Sequence, residues 1–151
     1  MVVISVPDSY GSVIAVALGA IPFLGFVHGL IVTSSRKEAN VPYPHSYATI
    51  EQCKSNPKAE QFNCAQRAHG NFLENAPQTM LFTLVAGLKY PGLATSIGAA
   101  WLVCRSVFLY GYVYSGKPQG KGRLMGSFFW LAQGALWGLS VFGVGKDLIS
   151  Y

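Results

Sequence analysis

Long apolar runs separated by short charged segments dominate the pattern of this 151-residue chain. The runs at residues 10–33, 93–114 and 124–145 are each long enough to cross a hydrocarbon core of about 30 Å as a helix. Arg105 is the only formally charged residue within these three runs. The pattern therefore predicts three membrane-spanning helices.

Residues 62–88 form a further candidate helix whose two halves differ in character. The first half is rich in charged and amide side chains, whereas the half after Asn75 is apolar but too short to cross a bilayer alone. One helix over the whole stretch suits a membrane only where its polar half faces protein or a wet cavity, and Pro77 is expected to kink it. The pattern thus predicts an all-α, four-helix membrane bundle that forms a single domain over residues 1–151.

The distribution of basic residues predicts the orientation of this bundle. The loops at residues 34–61 and 115–123 lie on the same side of a four-span chain, and the opposite side holds only Lys89 and Lys146. Cytosolic loops carry the excess of lysine and arginine in membrane proteins. Both loops are therefore predicted to be cytosolic, because they contain seven basic residues: Arg36, Lys37, Lys54, Lys58, Lys117, Lys121 and Arg123.

Composition narrows the classes of function. Hydrophobic residues make up 51% of the chain and charged residues 11%, with a formal net charge of +5. The basic residues lie between apolar runs and do not gather on one solvated face, so nucleic acid is not an expected partner. The three cysteines form no CxxC pair, so neither a metal site nor a disulfide framework is expected.

Polar side chains recur at helical spacing within two of the predicted helices. Residues three, four and seven positions apart share one face of a helix, so these polar side chains form a stripe along each helix. Ionised groups inside a bilayer must be paired or hydrated. One stripe consists of Arg67, Asn71, Glu74 and Gln78, and the other of Arg105, Phe108 and Tyr112.

Two interpretations of these stripes stay open on the residues alone. In the first, Glu74 neutralises Arg67 or Arg105 within a purely structural network, since membrane bundles use buried polar pairs. In the second, the basic and amide groups form a pocket for a small anionic ligand, held by arginine forks and amide hydrogen bonds. Glu74 would then accept an ammonium group of the same ligand.

Four motifs in a fixed order carry a resemblance to a known family. The segment FNCAQRAHGNFLE at 62–74 follows a basic pair and a VPYP stretch at 41–44. Downstream lie RSVFLYGY at 105–112 and a GKP loop at 116–118. This order, which extends over nearly the whole chain, resembles the MAPEG superfamily of membrane-associated proteins in eicosanoid and glutathione metabolism. Within it, the chain is most similar to the type 3 microsomal glutathione transferases.

The resemblance implies a homotrimer of four-helix subunits, with glutathione bound as co-substrate between neighbouring subunits near the cytosolic face. In that family the glutathione thiol is activated as a thiolate, which attacks a lipophilic electrophile or reduces a lipid hydroperoxide. The implied location is the membrane of the endoplasmic reticulum or the outer mitochondrial membrane, surrounded by membrane lipid. Glutathione carries two carboxylates, an ammonium group and two peptide units, which match the groups of the second interpretation.

The resemblance also implies roles for single residues. Arg67, Asn71 and Glu74 would hold the glutathione backbone and its charged ends. Arg123 would stabilise the thiolate, and Lys121 is the alternative because the loop before Arg123 is slightly longer than in relatives. The same resemblance implies a role for Lys37 as proton donor and roles in glutathione binding for Arg36, His69, Arg105 and Tyr112.

Two positions depart from the family pattern and keep other functions open. Phe108 stands where several members have a tyrosine near the thiol, and Asn75 replaces a residue that is often aromatic or aliphatic. The missing hydroxyl leaves room for a non-catalytic lipid-binding scaffold of the same superfamily. A small channel is a third alternative, but it would need polar residues along the full depth of a span, whereas residues 76–88 become apolar.

Overall fold

Helices form every regular element of the chain within residues 5–149, the range that the computed structural model describes. The all-α prediction is thereby confirmed. In chain order the helices are α1 (Tyr10–Ala39), α2 (Ile50–Ser55), α3 (Pro57–Gly87), α4 (Pro91–Tyr114), a 3₁₀ helix (Pro118–Gly126) that is interrupted at Gln119 and Gly120, and α5 (Phe129–Ile149). Short π-helical segments lie within α1 and α5.

Two of these helices, α1 and α4, are long and apolar enough to cross a membrane. The 3₁₀ helix and α5, which meet at a bend of 45°, would together make a third crossing. Helix α3 continues through Pro77 as one element, but its first half is too polar to count as a span by composition. A path of α3 across the bilayer therefore stays a prediction.

Helix α1 ends later than the predicted span at residues 10–33. Asn40 adopts a left-handed conformation (φ 54°), in which its N–H bonds the carbonyl of Lys37 at 3.2 Å. The N–H of Val41 bonds the carbonyl of Arg36 at 3.3 Å. Asparagine tolerates this conformation, which satisfies the last carbonyls of a helix and ends it.

Much of the first predicted loop, residues 34–61, is helical. Thr49 begins α2 with a capping box, since its hydroxyl accepts the N–H of Gln52 at 3.2 Å and the Gln52 side chain accepts the N–H of Thr49 at 2.8 Å. Pro57 occupies the first position of α3, where its missing N–H is not needed. Asn56 precedes it and accepts the N–H two residues on at 3.0 Å.

The second predicted loop is also ordered, and it delays the start of the last helix from residue 124 to Phe129. Glycines let the 3₁₀ helix lie directly on α4. A Cβ at Gly126 would overlap the backbone of Phe108, and a Cβ at Gly111 would overlap the carbonyl of Gly122. By hydrophobicity alone the last apolar run begins at residue 124. The backbone contact between the 3₁₀ helix and α4 instead makes α5 begin at Phe129.

The described residues divide into two compact units. The first unit comprises the chain up to Pro22, Asn75–Val103 and the chain from Phe128 onward. The second unit comprises Phe23–Glu74 and Cys104–Ser127. Nearly all of the polar residues singled out by the sequence analysis belong to the second unit.

An amide network lies in the core of the first unit. The indole N–H of the fully buried Trp101 donates to Gln133 Oε1 at 3.2 Å. Gln133 Nε2 in turn donates to Asn75 Oδ1 at 3.3 Å and to Gln78 Oε1 at 3.4 Å. Such bonds satisfy polar groups inside a membrane protein. Asn75, a departure from the family pattern, thus has a packing role.

Gly126→Ala is expected to destabilise the protein, because the new Cβ would overlap the backbone of α4. Overpacking of this kind costs about 1–3 kcal/mol, which thermal unfolding in detergent would show as a lower midpoint. Gly134→Ala is the matched control, since its Cβ would meet nothing within 4 Å. Alanine is favoured over glycine in a helix by roughly 0.5–1 kcal/mol, so this control should keep or raise the midpoint. Equal midpoints for the two variants would contradict the packing.

Candidate functional site

A chain of hydrogen bonds links the polar residues of α3 to α4 in the second unit. Arg105 Nη1 donates to Asn71 Oδ1 at 2.8 Å, and Asn71 Nδ2 donates to Glu74 Oε2 at 3.4 Å. Arg67 Nη1 forms an ion pair with Glu74 Oε1 at 2.9 Å. Four residues that the sequence analysis predicted at the site are therefore brought together.

The two ends of this chain differ in burial. Arg105 is fully buried, and its guanidinium carbon lies 4.6 Å from the ring centroid of Phe108 and 5.5 Å from that of Phe72. The side chains of Arg67 and Glu74 are 50% and 54% exposed. Exposed ion pairs contribute only about 0–1 kcal/mol to stability. Where water reaches this pair, an ionic ligand can therefore replace either partner at little cost.

A cavity of about 440 Å³ lies beside the exposed end of the chain. A second cavity, of about 520 Å³, shares part of its lining and extends along the 3₁₀ helix. Both volumes fall within the usual range of about 300–1,000 Å³ for small-molecule sites. The first cavity is lined by Tyr47, Glu60, Asn63, Cys64, Arg67, Tyr112 and Gln119.

Arg123 shapes one wall of these cavities through the loop that precedes it. Its Nη1 donates to the carbonyls of Gln119 and Gly120, both at 3.0 Å. Its guanidinium carbon lies 5.4 Å from the ring centroid of Tyr112. Gly120 has a φ of 60° and packs so closely on the Tyr112 ring that a Cβ would overlap it. Arg123 thus lies beside a cavity residue, whereas Lys121 is exposed to solvent.

Arg36 and Lys37 line neither of these two cavities, nor a third one of about 370 Å³ next to α2. The Arg36 guanidinium lies between the rings of Tyr43 and Phe62, at 4.4 and 4.6 Å from their centroids. Its Nη1 donates to the carbonyl of His45 at 2.6 Å. Arg36 therefore holds the loop after α1, while Lys37 is exposed.

His69 belongs to a buried group of rings on the other side of α3. Its ring centroid lies 5.9 Å from that of His28, and the His28 ring lies 4.6 Å from that of Phe72. His28 is fully buried, in agreement with a packing role. His69 lines none of the three described cavities, so its contact with a ligand stays a prediction.

Glu60 is a cavity residue that the sequence analysis missed. It lines both cavities beside Tyr112 and a third one, of about 370 Å³, next to α2. Glu60 lies one helical turn before Cys64 and two turns before Arg67, so an extension of the polar face by two turns would have found it. The lining therefore contains a carboxylate as well as the basic groups.

Cys53 and Cys64 lie at the cavities as free thiols. Burial and the neighbouring carboxylate of Glu60 raise the pKa of the Cys53 thiol above its usual range. Asn63 Nδ2 also donates to Cys53 Sγ at 3.3 Å. A raised pKa keeps a thiol protonated and weakly nucleophilic, which favours a structural role for Cys53. Within residues 5–149 no group of three or more His, Cys, Asp and Glu side chains is arranged to hold a metal.

A comparison with known families now adds to this geometry. The model of the MAPEG family matches residues 14–142, which extend from α1 into α5. Proteins of this family use glutathione, and they include glutathione transferases and related enzymes as well as non-catalytic members. The chain therefore belongs to the MAPEG family, and it is an integral membrane protein with a role in glutathione or eicosanoid metabolism.

Proposed function

We propose that this protein is a membrane glutathione transferase with glutathione peroxidase activity, of the type 3 microsomal kind. The observation that carries the proposal is the half-exposed ion pair of Arg67 and Glu74 beside a cavity of about 440 Å³. The pair offers a guanidinium for a glutathione carboxylate and a carboxylate for its ammonium group. Asn71, already oriented by Arg105, offers its amide to a peptide unit of the ligand.

The chemistry begins with ionisation of the glutathione thiol. A cysteine thiol with a pKa of about 8.5 is mostly protonated at neutral pH, and a nearby guanidinium lowers that value. We assign this stabilisation of the thiolate to Arg123, with Lys121 as the alternative. We assign the role of proton donor to Lys37. The thiolate forms a carbon–sulfur bond with a lipophilic electrophile and expels its leaving group. With a lipid hydroperoxide, two glutathione molecules give the alcohol, water and glutathione disulfide.

The remaining predicted residues act around this centre. Tyr112, on the wall of both cavities, contacts the ligand, and His69 adds a hydrogen-bonding neighbour from the buried side of α3. Arg36 holds the loop after α1 through the carbonyl of His45. A direct contact between Arg36 and a glutathione carboxylate stays a prediction, because the guanidinium would have to leave that carbonyl.

A homotrimer provides the surroundings that α3 needs. Arg67 and Glu74 are half-exposed in the single chain, and ionised side chains within a bilayer do not face lipid. A neighbouring subunit that covers this face would close the site around glutathione. The membrane of the endoplasmic reticulum or the outer mitochondrial membrane would supply the lipophilic substrate. A native mass equal to one subunit in mild detergent would contradict the trimer.

The excess of basic residues in the loops supports a cytosolic position for this site, where glutathione is available. Four spans, with α3 crossing the membrane, bring α2 and the 3₁₀ helix to that same side. A cysteine introduced at the exposed Ser55 of α2 reports the orientation directly. Labelling of Ser55→Cys from the lumenal side alone would contradict it.

Arg67→Ala is expected to weaken glutathione binding, because it removes the guanidinium that pairs with an anionic end of the ligand. Loss of such a charge-assisted contact costs about 1.5–3 kcal/mol, or roughly 10- to 150-fold in affinity. Isothermal titration of the detergent-purified protein measures it. Lys58→Ala is the matched control, since it removes a cation that pairs with Glu38 at 2.8 Å outside the three cavities. Equal glutathione affinities of the two variants would indicate that Arg67 has only a structural role.

Arg123→Ala is expected to impair thiol ionisation more than glutathione capture. Without the guanidinium the pKa of the bound thiol should return towards about 8.5, so turnover falls at neutral pH and partly recovers in alkaline buffer. A pH–rate profile of Arg123→Ala beside Lys121→Ala measures the effect, with affinity determined for both. A shift in Lys121→Ala alone assigns the role to the lysine. If neither profile shifts, the thiol is activated elsewhere and the mechanism is wrong.

A further inference from the structure

We propose that Tyr47 is a ligand-contacting residue, whose phenol hydroxyl donates a hydrogen bond to an anionic group of glutathione in the 440 Å³ cavity. The inference rests on the proposed function and extends it to the loop between α1 and α2. Tyr47 belongs to none of the four motifs that carried the family resemblance. Its assignment comes from the way the chain on both sides of it is held.

The backbone around Tyr47 is fixed by side chains from two helices. Arg36, from α1, donates to the carbonyl of His45 at 2.6 Å. Asn63, from α3, accepts the N–H of Ala48 at 2.8 Å and donates to the carbonyl of Ala48 at 3.0 Å. Both backbone groups of the residue next to Tyr47 are therefore held by one amide. The capping box of α2 fixes the following residue.

This anchoring brings the Tyr47 side chain to the cavity wall. Tyr47 lines the cavity together with Arg67 and Tyr112. The residue is 46% exposed, so a ligand in the cavity can reach it. Loop residues are usually mobile, but a tyrosine between two anchored neighbours can hold its hydroxyl in one place.

The chemistry of the cavity gives this hydroxyl a use. Arg67 attracts an anionic group, and a phenol O–H next to a guanidinium can donate to the same anion. Phe108, at the position where a hydroxyl was expected from the resemblance, is buried against Arg105 and supplies none. Tyr47 adds a phenol hydroxyl from the loop after α1. Together with Tyr112 it gives the cavity wall two phenol groups.

Tyr47→Phe tests the proposal by removing only the hydroxyl. We expect glutathione affinity to fall about tenfold, the effect of one hydrogen bond to a charged group at a half-exposed site. Tyr43→Phe is the matched control from the same loop. Its ring stacks on Arg36 at 4.4 Å and lines none of the three cavities, so the wild-type affinity should be kept. Isothermal titration measures both variants beside Arg67→Ala.

Asn63→Ala supplies a second variant, since it releases Ala48 and should displace Tyr47. If Asn63 acts through Tyr47, adding Tyr47→Phe to Asn63→Ala should cause little further loss, as coupled residues do not add. Wild-type affinity in Tyr47→Phe, with affinity lost in Arg67→Ala, would overturn the role of Tyr47 and leave the proposed function standing. A wild-type protein that binds no glutathione would overturn both.

Discussion

The buried guanidinium of Arg105 is the constraint on which the polar site depends. A fully buried cation is strongly destabilising unless hydrogen bonds and neighbouring charge compensate it. Asn71 accepts one of its N–H groups, and the faces of Phe72 and Phe108 lie against it. Because Asn71 gives its oxygen to Arg105, its amide nitrogen points towards Glu74. One buried charge thus orients the residues that reach the exposed surface of α3.

This arrangement also gives a physical reason for Phe108. An aromatic ring under a desolvated guanidinium stabilises it by cation–π attraction, and Phe108 also packs edge-on against Tyr112 at 5.6 Å. The ring therefore serves the buried cation and supports a cavity residue. The hydroxyl donors of the cavity come instead from the half-buried Tyr112 and from the anchored loop after α1.

Sequence patterns predicted the elements better than their ends. Hydrophobic runs gave α1, α4 and α5, and helical spacing placed Arg67, Asn71 and Glu74 on one face. The start of α5 was not predicted correctly, because it depends on contacts between glycines and the α4 backbone. The hydrophobicity of the sequence carries no information about these contacts. Glu60 and Tyr47 were also not predicted as cavity residues. Glu60 lies before the polar stripe, and Tyr47 lies in a loop that is held by residues distant in sequence. The packed position of Arg36 depends on rings of Tyr43 and Phe62, which spacing alone does not bring together.

Binding and ionisation of glutathione by this protein are tested most directly by an ultraviolet difference spectrum. Thiolates absorb in the ultraviolet where thiols do not, so mixing the detergent-purified protein with glutathione at neutral pH reports ionisation of the bound thiol. We expect an absorbance rise that saturates with glutathione and is abolished when S-methylglutathione replaces it. Saturable binding without any absorbance rise would contradict thiolate activation and indicate a non-catalytic scaffold. The absence of both binding and absorbance change would contradict the glutathione site itself.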